Sequence, residues 1–454
     1  MGTLGQRVRS AFCVVLSAAA LLLSSCSGGS TYTTVPLPDS QWVVAWGAPP
    51  ENALASATNP GGEEQTFRSI ILPTIDGSQE RVRLSNLYGS APITIGSAHL
   101  AVVTTAPAVD SSTDQPLTFN GATSVTIPAG QTVTSDSVKV FYTAGQKLAV
   151  TTYVKGTFAP LTQHQSPVMM SYATATNAGD MTKDTSGASF TNSVQRWLLV
   201  TGVDVYGPYQ GTVVLLGSSS IDGTNSNYLS TNAYPAKNTV EPTQDNDTPA
   251  DWLGRSLLAA GYRLGVANGG QIADPAAPDA TTASGTSQAG IDRFNRDVVQ
   301  QPGVKAVIVY IGGVDLRLDC KSATDVEASL TNIIAQGAAA NLRVIIATIP
   351  PSEYCTTSDP SLLPSTSNPW QGDLNPGPEN PGSTQRRLVN TWIRNVAATL
   401  PGVVAVADFD AALAYPAHPD FLLPNFVSGD NFHPTGLGYQ AQNGAIPLKA
   451  ILGN

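Results

Sequence analysis

Two short segments of this chain carry side chains that could act together as a nucleophile and its base. Residues 217–223 read Gly-Ser-Ser-Ser-Ile-Asp-Gly, and residues 428–436 read Ser-Gly-Asp-Asn-Phe-His-Pro-Thr-Gly. A serine hydroxyl becomes nucleophilic when a histidine removes its proton, and a carboxylate can hold that histidine in the required tautomer. The residue types for this chemistry are therefore present, and the surrounding elements must bring them together.

The first segment follows a strand-like run. Four consecutive apolar residues, 213–216, predict a strand buried on both faces, as in a parallel sheet. Gly217 permits a tight turn from strand to helix, which can lift a serine hydroxyl clear of the backbone. This turn is a candidate site, because α/β proteins bind ligands beyond the carboxyl ends of their strands. A Ser- and Gly-rich turn without chemistry is the alternative.

The second segment precedes a predicted helix. Pro434 steers His433 out of the helical backbone region and itself suits the first turn of a helix. Asp430 lies one turn of chain earlier, so its carboxylate can hold one ring nitrogen of His433 while the other faces outward. The alternative is that this segment only caps the start of a helix and has no catalytic role.

Strand-like and helix-like segments alternate through residues 206–454, which predicts a parallel sheet covered by helices on both faces. The expected fold is a three-layer α/β/α sandwich with a five-stranded parallel sheet. The segment 350–382, rich in Pro and Ser, is expected to form a rim or lid over the site. The predicted strands are 212–217, 262–267, 305–311, 343–349 and 403–408, and the predicted helices are 249–260, 290–300, 323–340, 384–400 and one that begins near 434.

Residues 40–205 are predicted to form a separate all-β sandwich domain, because short alternating segments are separated by turn residues. A glycan-binding module, a spacer and a wall of the active site are all open as its role. His164 could reach the second domain, or it could be a surface residue. The predicted strands are 81–84, 98–103, 124–127, 138–142 and 148–154.

Residues 1–26 resemble a lipoprotein signal peptide. Arg7 and Arg9 precede a short apolar run, 11–23, that cannot span a bilayer of about 30 Å. The run ends in Leu-Ser-Ser-Cys, which resembles the bacterial lipoprotein box and makes Cys26 the expected site of lipid attachment. The protein is then expected on the outer face of the bacterial cell membrane, with 27–39 as a flexible tether. A plain secretory signal is the alternative.

Two cysteines remain once Cys13 leaves with the signal peptide and Cys26 is acylated. Cys320 and Cys355 are these two cysteines, and an exported protein folds in an oxidising compartment. We therefore expect a disulfide between them. Two buried free thiols are the alternative.

The charge balance argues against nucleic acid as a partner. Only 12% of the 454 residues are charged and the net charge is −10, so no basic face is available to neutralise phosphates. The four histidines lie scattered without metal-ligand spacing, and we expect neither a metal nor another cofactor. We also expect the protein to be a monomer.

The second domain resembles the SGNH hydrolases, also called GDSL-type esterases and lipases. Blocks of that family occur in the expected order at 217–223, 266–270, 312–315 and 430–433. The resemblance implies a flavodoxin-like fold and a cofactor-independent serine esterase. It also extends to residues 40–205, which resemble the N-terminal β-domain of a bacterial subgroup on the segments 81–89 and 94–99.

The resemblance assigns a role to each motif residue. Aligning the Asp-Gly pair at 222–223 makes Ser219 the nucleophile, His433 the general base and Asp430 its partner. The implied oxyanion donors are the backbone N–H groups of Ser219 and Gly270.

Two positions depart from the family pattern. Ser218 replaces the usual aspartate before the nucleophile, and Val314 replaces an asparagine whose amide donates to the oxyanion. The loss of one such donor typically costs about 10²–10³ in rate. Arg317 could supply a positive charge in place of the missing amide donor, or its side chain could simply be exposed to solvent. A weakened rather than an absent oxyanion hole is expected.

The leading hypothesis is a cell-envelope serine esterase that hydrolyses or transfers an O-acyl group on a glycan or lipid substrate. The alternative is a catalytically impaired lipoprotein of the same fold that binds a glycan or lipid.

Overall fold

The computed structural model describes residues 37–453, apart from 54–55, 58, 166, 231–246, 279–287 and 352–380. In the first half of this range, short segments with alternating buried residues form antiparallel strands. The strands are β1 Gln41–Gly47, β2 Gly62–Ile71, β3 Glu80–Ser85, β4 Ile93–Val102, β5 Gln115–Pro116, β6 Val125–Ile127, β7 Thr132–Thr134, β8 Leu148–Phe158, β9 Gln163–Gln165, β10 Ser171–Ala173, β11 Asn192–Val194, β12 Arg196–Leu198 and β13 Val200–Gly207.

These strands form two larger antiparallel sheets and one strand pair. The first sheet has the order β1-β13-β3-β7, and the second has the order β11-β10-β2-β8-β4-β5 with β6 added to β4. Strands β9 and β12 form the pair. The all-β expectation for this part of the chain is confirmed, whereas residues 138–142 contribute isolated bridges at Val138 and Tyr142 instead of a strand.

A parallel sheet follows, with the strand order β15-β14-β16-β17-β18. Its side chains alternate between two apolar cores: Val214 and Leu216 enter one, and Val213 and Leu215 enter the other. The parallel strands are β14 Gly211–Gly217, β15 Leu264–Gly270, β16 Val304–Tyr310, β17 Arg343–Ala347 and β18 Val403–Ala407, and a small hairpin, β19 Ala414–Tyr415 and β20 His418–Leu422, comes later.

Helices cover both faces of the parallel sheet. One core contains side chains of α3, α5 and α6, and the other contains side chains of α1, α2, α7 and α9, which confirms the three-layer α/β/α sandwich. The helices are α1 Ser219–Asp222, α2 Pro249–Ala259, α3 Gly290–Phe294, α4 Gly313–Arg317, α5 Ala323–Ala339, α6 Pro381–Asn395, α7 Phe409–Leu413, α8 Gly436–Gly444 and α9 Leu448–Leu452; α3 continues into a π-helical turn, Asn295–Val299, and a 3₁₀ turn, Ala397–Thr399, follows α6.

The strand order sets the position of the candidate site. Strand β14 is first along the chain in this sheet and lies between β15 and β16, so the order of the strands reverses beside it. A crevice at the carboxyl ends of the strands is expected at such a point. The serine-rich turn after Gly217 lies at this end of β14.

Strand β15 lies later in the sequence than predicted. It includes Gly269 and Gly270, which in a sequence suggest a loop. A Cβ at Gly269 would lie 2.5 Å from Leu215 O, so glycine is needed where the neighbouring backbone comes close.

The antiparallel region packs directly against the parallel sheet. Val44 N–H of β1 donates to Thr212 Oγ1 of β14 at 3.0 Å, and Val266 N–H of β15 donates to Thr74 Oγ1 at 3.0 Å. Residues 38–454 group as one unit by their contacts. The domain boundary at 205–206 remains a prediction. It falls within β13, and the chain changes from antiparallel to parallel strands between residues 207 and 211.

Several predictions fall on residues outside the described ranges. These include Cys26 with the signal peptide and most of the tether, Cys355, and nearly all of the expected lid. Cys320 lies three residues beyond the end of α4, and its pairing with Cys355 remains a prediction. None of the helices in the described part of the chain has the length and apolar character that a bilayer crossing requires.

Candidate active site

Ser219 is the first residue of helix α1, at the carboxyl end of β14. The turn that leads to it requires glycine, because a Cβ at Gly217 would lie 2.3 Å from Tyr310 O and 2.4 Å from Ile221 Cγ1. Ser218 is the N-cap residue. The described residues include no hydrogen-bond acceptor for Ser219 N–H, as is common for the first N–H groups of a helix. This N–H therefore remains available to a further acceptor.

The hydroxyl of Ser219 lies within hydrogen-bonding distance of the His433 ring, although 214 positions separate the two residues in the sequence. Ser219 Oγ lies 2.7 Å from His433 Nε2, and His433 Nδ1 lies 2.6 Å from Asp430 Oδ2. An ionised carboxylate can only accept, so Nδ1 carries the proton of the neutral ring and Nε2 is left to accept from the serine hydroxyl. This is the geometry that a general base needs.

The carboxylate of Asp430 is itself held firmly. Its Oδ1 accepts from Ser428 Oγ and from the backbone N–H groups of Phe432 and His433, each at 2.9 Å, and its Oδ2 accepts from Asn225 Nδ2 at 2.7 Å. Burial alone would raise the pKa of Asp430, but the hydrogen bonds from the His433 ring and from these donors hold its pKa well below the usual range. The carboxylate therefore stays ionised next to His433.

Sequence reasoning missed Asn225 as a partner of Asp430. The available signal was weak: Asn225 lies just after the Asp-Gly pair and adopts a left-handed conformation with φ of 65°, which asparagine tolerates better than most residues.

Gly270 lies beside α1, but its N–H is already used. It donates to Asn268 Oδ1 at 2.8 Å, so it would have to release this acceptor before it could donate to an oxyanion. Its role as an oxyanion donor remains a prediction. Glycine is required here for a steric reason. A Cβ at this position would lie 2.2 Å from Asp222 N and 2.7 Å from Asp222 Cα. Gly270 therefore lets the end of β15 come close to the backbone of the helix that carries Ser219.

The sequence matches the GDSL-like lipase/acylhydrolase family over residues 215–441, which is half of the chain and extends from β14 into α8. The chain belongs to this family. It is accordingly an acyl-ester hydrolase of the carboxylic ester class. No curated protein matches the sequence.

Solved structures of esterases also resemble this hydrolase. The aryl esterase of M. smegmatis with a bound inhibitor is 14% identical, and the match covers 53% of this chain and 100% of the esterase with a TM-score of 0.36. A carbohydrate acetylesterase family member from Sinorhizobium meliloti is 13% identical over 54% of this chain and 100% of its own, with a TM-score of 0.37. A family two carbohydrate esterase from Clostridium thermocellum, in complex with cellohexaose, is 13% identical over 89% of this chain and 99% of its own, with a TM-score of 0.34. The family assignment rests on the sequence match alone, because these TM-scores are low.

Val314 is the residue that the family resemblance aligns with the asparagine of the oxyanion hole, and this alignment remains a prediction. It lies in α4, which follows β16, the neighbour of β14 in the sheet, and it is 3% exposed. Its side chain has no hydrogen-bond donor. If the asparagine position of the family corresponds to Val314, the donor it would supply is therefore missing from this hydrolase.

Arg317 lies close to the histidine of the site. Its guanidinium carbon is 3.8 Å from the ring centroid of Phe432, and that ring packs edge-on against the His433 ring with centroids 4.5 Å apart. A cation positioned over an aromatic face in this way is attracted to it. The idea that Arg317 supplies charge to the reaction remains a prediction.

A buried arginine, also missed from the sequence, connects the strand ends beneath the serine turn. Arg293 is fully buried, and its guanidinium donates to Gly217 O and to Gly269 O, each at 2.8 Å. It also pairs with Asp274 and Asp297. The ends of β14 and β15 are thus held together where α1 begins. A single arginine in a helical segment gives no sequence signal for this role.

Within the described ranges, no group of His, Cys, Asp and Glu side chains is arranged to hold a metal ion.

Proposed function

We propose that this hydrolase is a serine esterase of the cell envelope, in which Ser219, His433 and Asp430 form the catalytic triad. The observation that carries the proposal is the continuous hydrogen-bond chain from Ser219 Oγ through His433 to Asp430, with distances of 2.7 and 2.6 Å. A serine whose hydroxyl donates to an imidazole that is oriented by a carboxylate is an activated nucleophile.

In the proposed reaction Ser219 Oγ attacks the ester carbonyl while His433 Nε2 takes the hydroxyl proton. His433 then gives this proton to the leaving alcohol, and an acyl-serine forms. In the second half, His433 removes a proton from water, or from another hydroxyl in the case of transfer, and that oxygen attacks the acyl carbon. The bond from the acyl carbon to Ser219 Oγ then breaks, and His433 returns the proton to Ser219 Oγ. The ionised carboxylate of Asp430 stabilises the imidazolium in both halves.

The oxyanion of the tetrahedral intermediate is the weaker part of the proposed site. The N–H of Ser219 is available, whereas the N–H of Gly270 would first have to leave Asn268, and Val314 has no donor to contribute. One missing donor typically costs about 2.7–4 kcal/mol of transition-state stabilisation. We therefore expect a slow esterase rather than an inactive protein.

The proposed substrate is an O-acyl group on a glycan or a lipid. Two features support this class. The first is the predicted location of the protein at the outer face of the membrane. The second is that the Asp430–His433 end of the proposed triad reaches the surface, since the Asp430 side chain is 39% exposed and that of His433 is 13% exposed, while Ser219 is 6% exposed. An ester carried by a large molecule could approach such a site.

The proposed location rests on the Leu-Ser-Ser-Cys motif that ends at Cys26. Mature protein expressed in a bacterial host that lipidates exported proteins should begin at a diacylated Cys26 and enter the detergent phase in a phase-partitioning assay. Replacing Cys26 by Ala should move it to the aqueous phase. Wild-type protein with an unlipidated N-terminus in the aqueous phase would contradict the proposal.

The triad is tested by labelling with a fluorophosphonate probe, which reacts with activated serines, and by locating the label with mass spectrometry. The label should be found on Ser219 and should disappear in Ser219→Ala and in His433→Ala. Ser218→Ala is a suitable control, since Ser218 makes no side-chain capping hydrogen bond, and it should still be labelled. A folded wild-type protein that takes up no label would instead indicate an impaired hydrolase that only binds its ligand.

A further inference from the structure

His164 connects the antiparallel region to the helix that carries Ser219. It lies in β9, where it pairs with Trp197 of β12, and its ring stacks on the Trp197 ring with centroids 5.3 Å apart and planes inclined by 29°. Only 1% of the residue is exposed, so the alternative of a surface histidine is excluded. Its Nε2 lies 2.9 Å from Oδ1 of Asp222, the last residue of α1.

Both ring nitrogens of His164 face acceptors. Nδ1 lies 3.0 Å from the carbonyl oxygen of Pro49, which can only accept, and Nε2 faces the carboxylate of Asp222. A neutral imidazole has one donor nitrogen, so both contacts are satisfied together by the imidazolium form. The pair is then a buried cation and anion that bridges the two parts of the chain.

A second carboxylate lies on the other side of the ring. Glu51 Oε1 is 3.6 Å from His164 Nδ1, and Glu51 is fully buried. Burial lowers the pKa of His164, but the charges of Asp222 and Glu51 outweigh it and raise the pKa to about 9. Burial, with Asp222 nearby, raises the pKa of Glu51 to about 7. The charged form of His164 is therefore the stable one at neutral pH.

The position of Asp222 makes this contact relevant to the reaction. Helix α1 contains four residues only, so its two ends cannot move independently. Its backbone is tied to the turn by Asp222 N–H, which donates to Ser218 O at 3.0 Å. A displacement of Asp222 would therefore displace Ser219 as well.

We propose that His164 is a positioning residue of the esterase site, which holds Asp222, and through it α1 and Ser219 Oγ, in the orientation that faces His433. The antiparallel region is then a structural wall of the active site and not a spacer. This inference rests on the proposed role of Ser219.

The test compares two buried histidines, each of which pairs with an aspartate. His164→Gln removes the charge of the pair that contacts α1. His99→Gln is the matched control, since His99 of β4 is 5% exposed and pairs with Asp114 at 3.0 Å within the antiparallel region alone. Both variants should melt at a lower temperature than the wild type.

The two variants should differ in reactivity. In His164→Gln, the rate constant for fluorophosphonate labelling of Ser219 and kcat for a short p-nitrophenyl ester should fall on the order of 10-fold, while KM changes by less than about twofold. In His99→Gln both rates should equal those of the wild type, measured well below the melting temperature. Equal rates in His164→Gln and wild type, or equal losses in both variants, would overturn the inference.

A second variant covers the case in which His164→Gln does not fold. Asp222→Asn keeps an oxygen acceptor for Nε2 but removes the negative charge, and it should also slow labelling with little change in KM. In the double variant the losses should be less than additive, since the two residues act through one contact. The two proposals fail differently: absence of label on wild-type Ser219 contradicts the triad, whereas normal labelling of folded Asp222→Asn and His164→Gln contradicts only the positioning role.

Discussion

Gly270→Ala tests how closely the nucleophile helix must pack against the sheet. Gly270 ends β15, opposite Gly217 in the parallel register. A Cβ there would lie 2.2 Å from Asp222 N, 2.7 Å from Asp222 Cα and 2.8 Å from Ile221 C. All three are backbone atoms, so no change of rotamer can relieve the overlap.

The size of the effect follows from these distances. Ordinary contacts begin at about 3.4 Å, so α1 or the end of β15 must move by roughly 1.2 Å. Overpacking of this kind costs about 1–3 kcal/mol of folding stability. Because α1 carries Ser219, and a misplacement of about 1 Å can cost on the order of 10²-fold in rate, kcat/KM should fall by a factor of this order. The substitution keeps the N–H of residue 270, so the number of backbone donors in the site is unchanged.

The assay measures kcat/KM for a short p-nitrophenyl ester together with the free energy of unfolding in urea. Gly444→Ala is the matched control, since a Cβ at this position in α8 would meet no atom within 4 Å. It should leave kcat/KM unchanged and stabilise the protein by up to about 1 kcal/mol, because alanine favours a helix more than glycine does.

A folded Gly270→Ala variant with the kcat/KM of the wild type would refute the reasoning. It would mean that the turn relaxes without moving Ser219, or that the position of α1 does not limit the reaction. A variant that is unstable at 25 °C can be measured at a lower temperature with the control beside it.

Two further predictions concern a missing donor and a buried acid. Val314→Asn should raise kcat for a small acetyl ester with little change in KM, and the increase should be up to about 10²-fold if the amide reaches the oxyanion. A folded variant whose kcat is unchanged or lower would show that residue 314 does not line the oxyanion hole. Glu80 is fully buried, its Oε2 accepts from Val140 N–H, and burial raises its pKa to about 8. A carboxyl whose pKa is raised on folding contributes stability below its unfolded pKa, about 4.5, and loses it as the pH rises through 8. Glu80→Gln should therefore flatten the decrease in the free energy of unfolding between pH 5 and about pH 9; parallel curves for variant and wild type in urea titrations would contradict this.

The elements of the hydrolase fold could be predicted from the sequence because their signals are local. Buried runs such as 213–216 and the amphipathic segments between them identified five strands and the longer helices with small errors at the ends, whereas the short helices α1, α4, α7 and α9 were not predicted. The serine turn and the aspartate–histidine segment were recognised for the same reason, since Gly217 and Pro434 act on their own neighbours. Strand β15 was placed too early, because glycine pairs in a sequence usually indicate a loop.

The partners of these residues were decided by the tertiary structure. The contact of Ser219 with His433 depends on the strand order that brings two distant turns to one edge of the sheet. The contact of His164 with Asp222 depends on how the antiparallel region packs. A histidine in a short strand has the same local pattern whether it faces solvent or a buried carboxylate.

The steric role of Gly270 also could not be predicted from the local sequence. Its motif position predicts a backbone donor. The surrounding atoms show in addition that the backbone of α1 approaches it closely and that its N–H donates to Asn268. Local sequence specifies backbone conformation, because that depends on sterics within a few residues. Which groups face each other across the fold depends on long-range packing, and only the folded chain determines it.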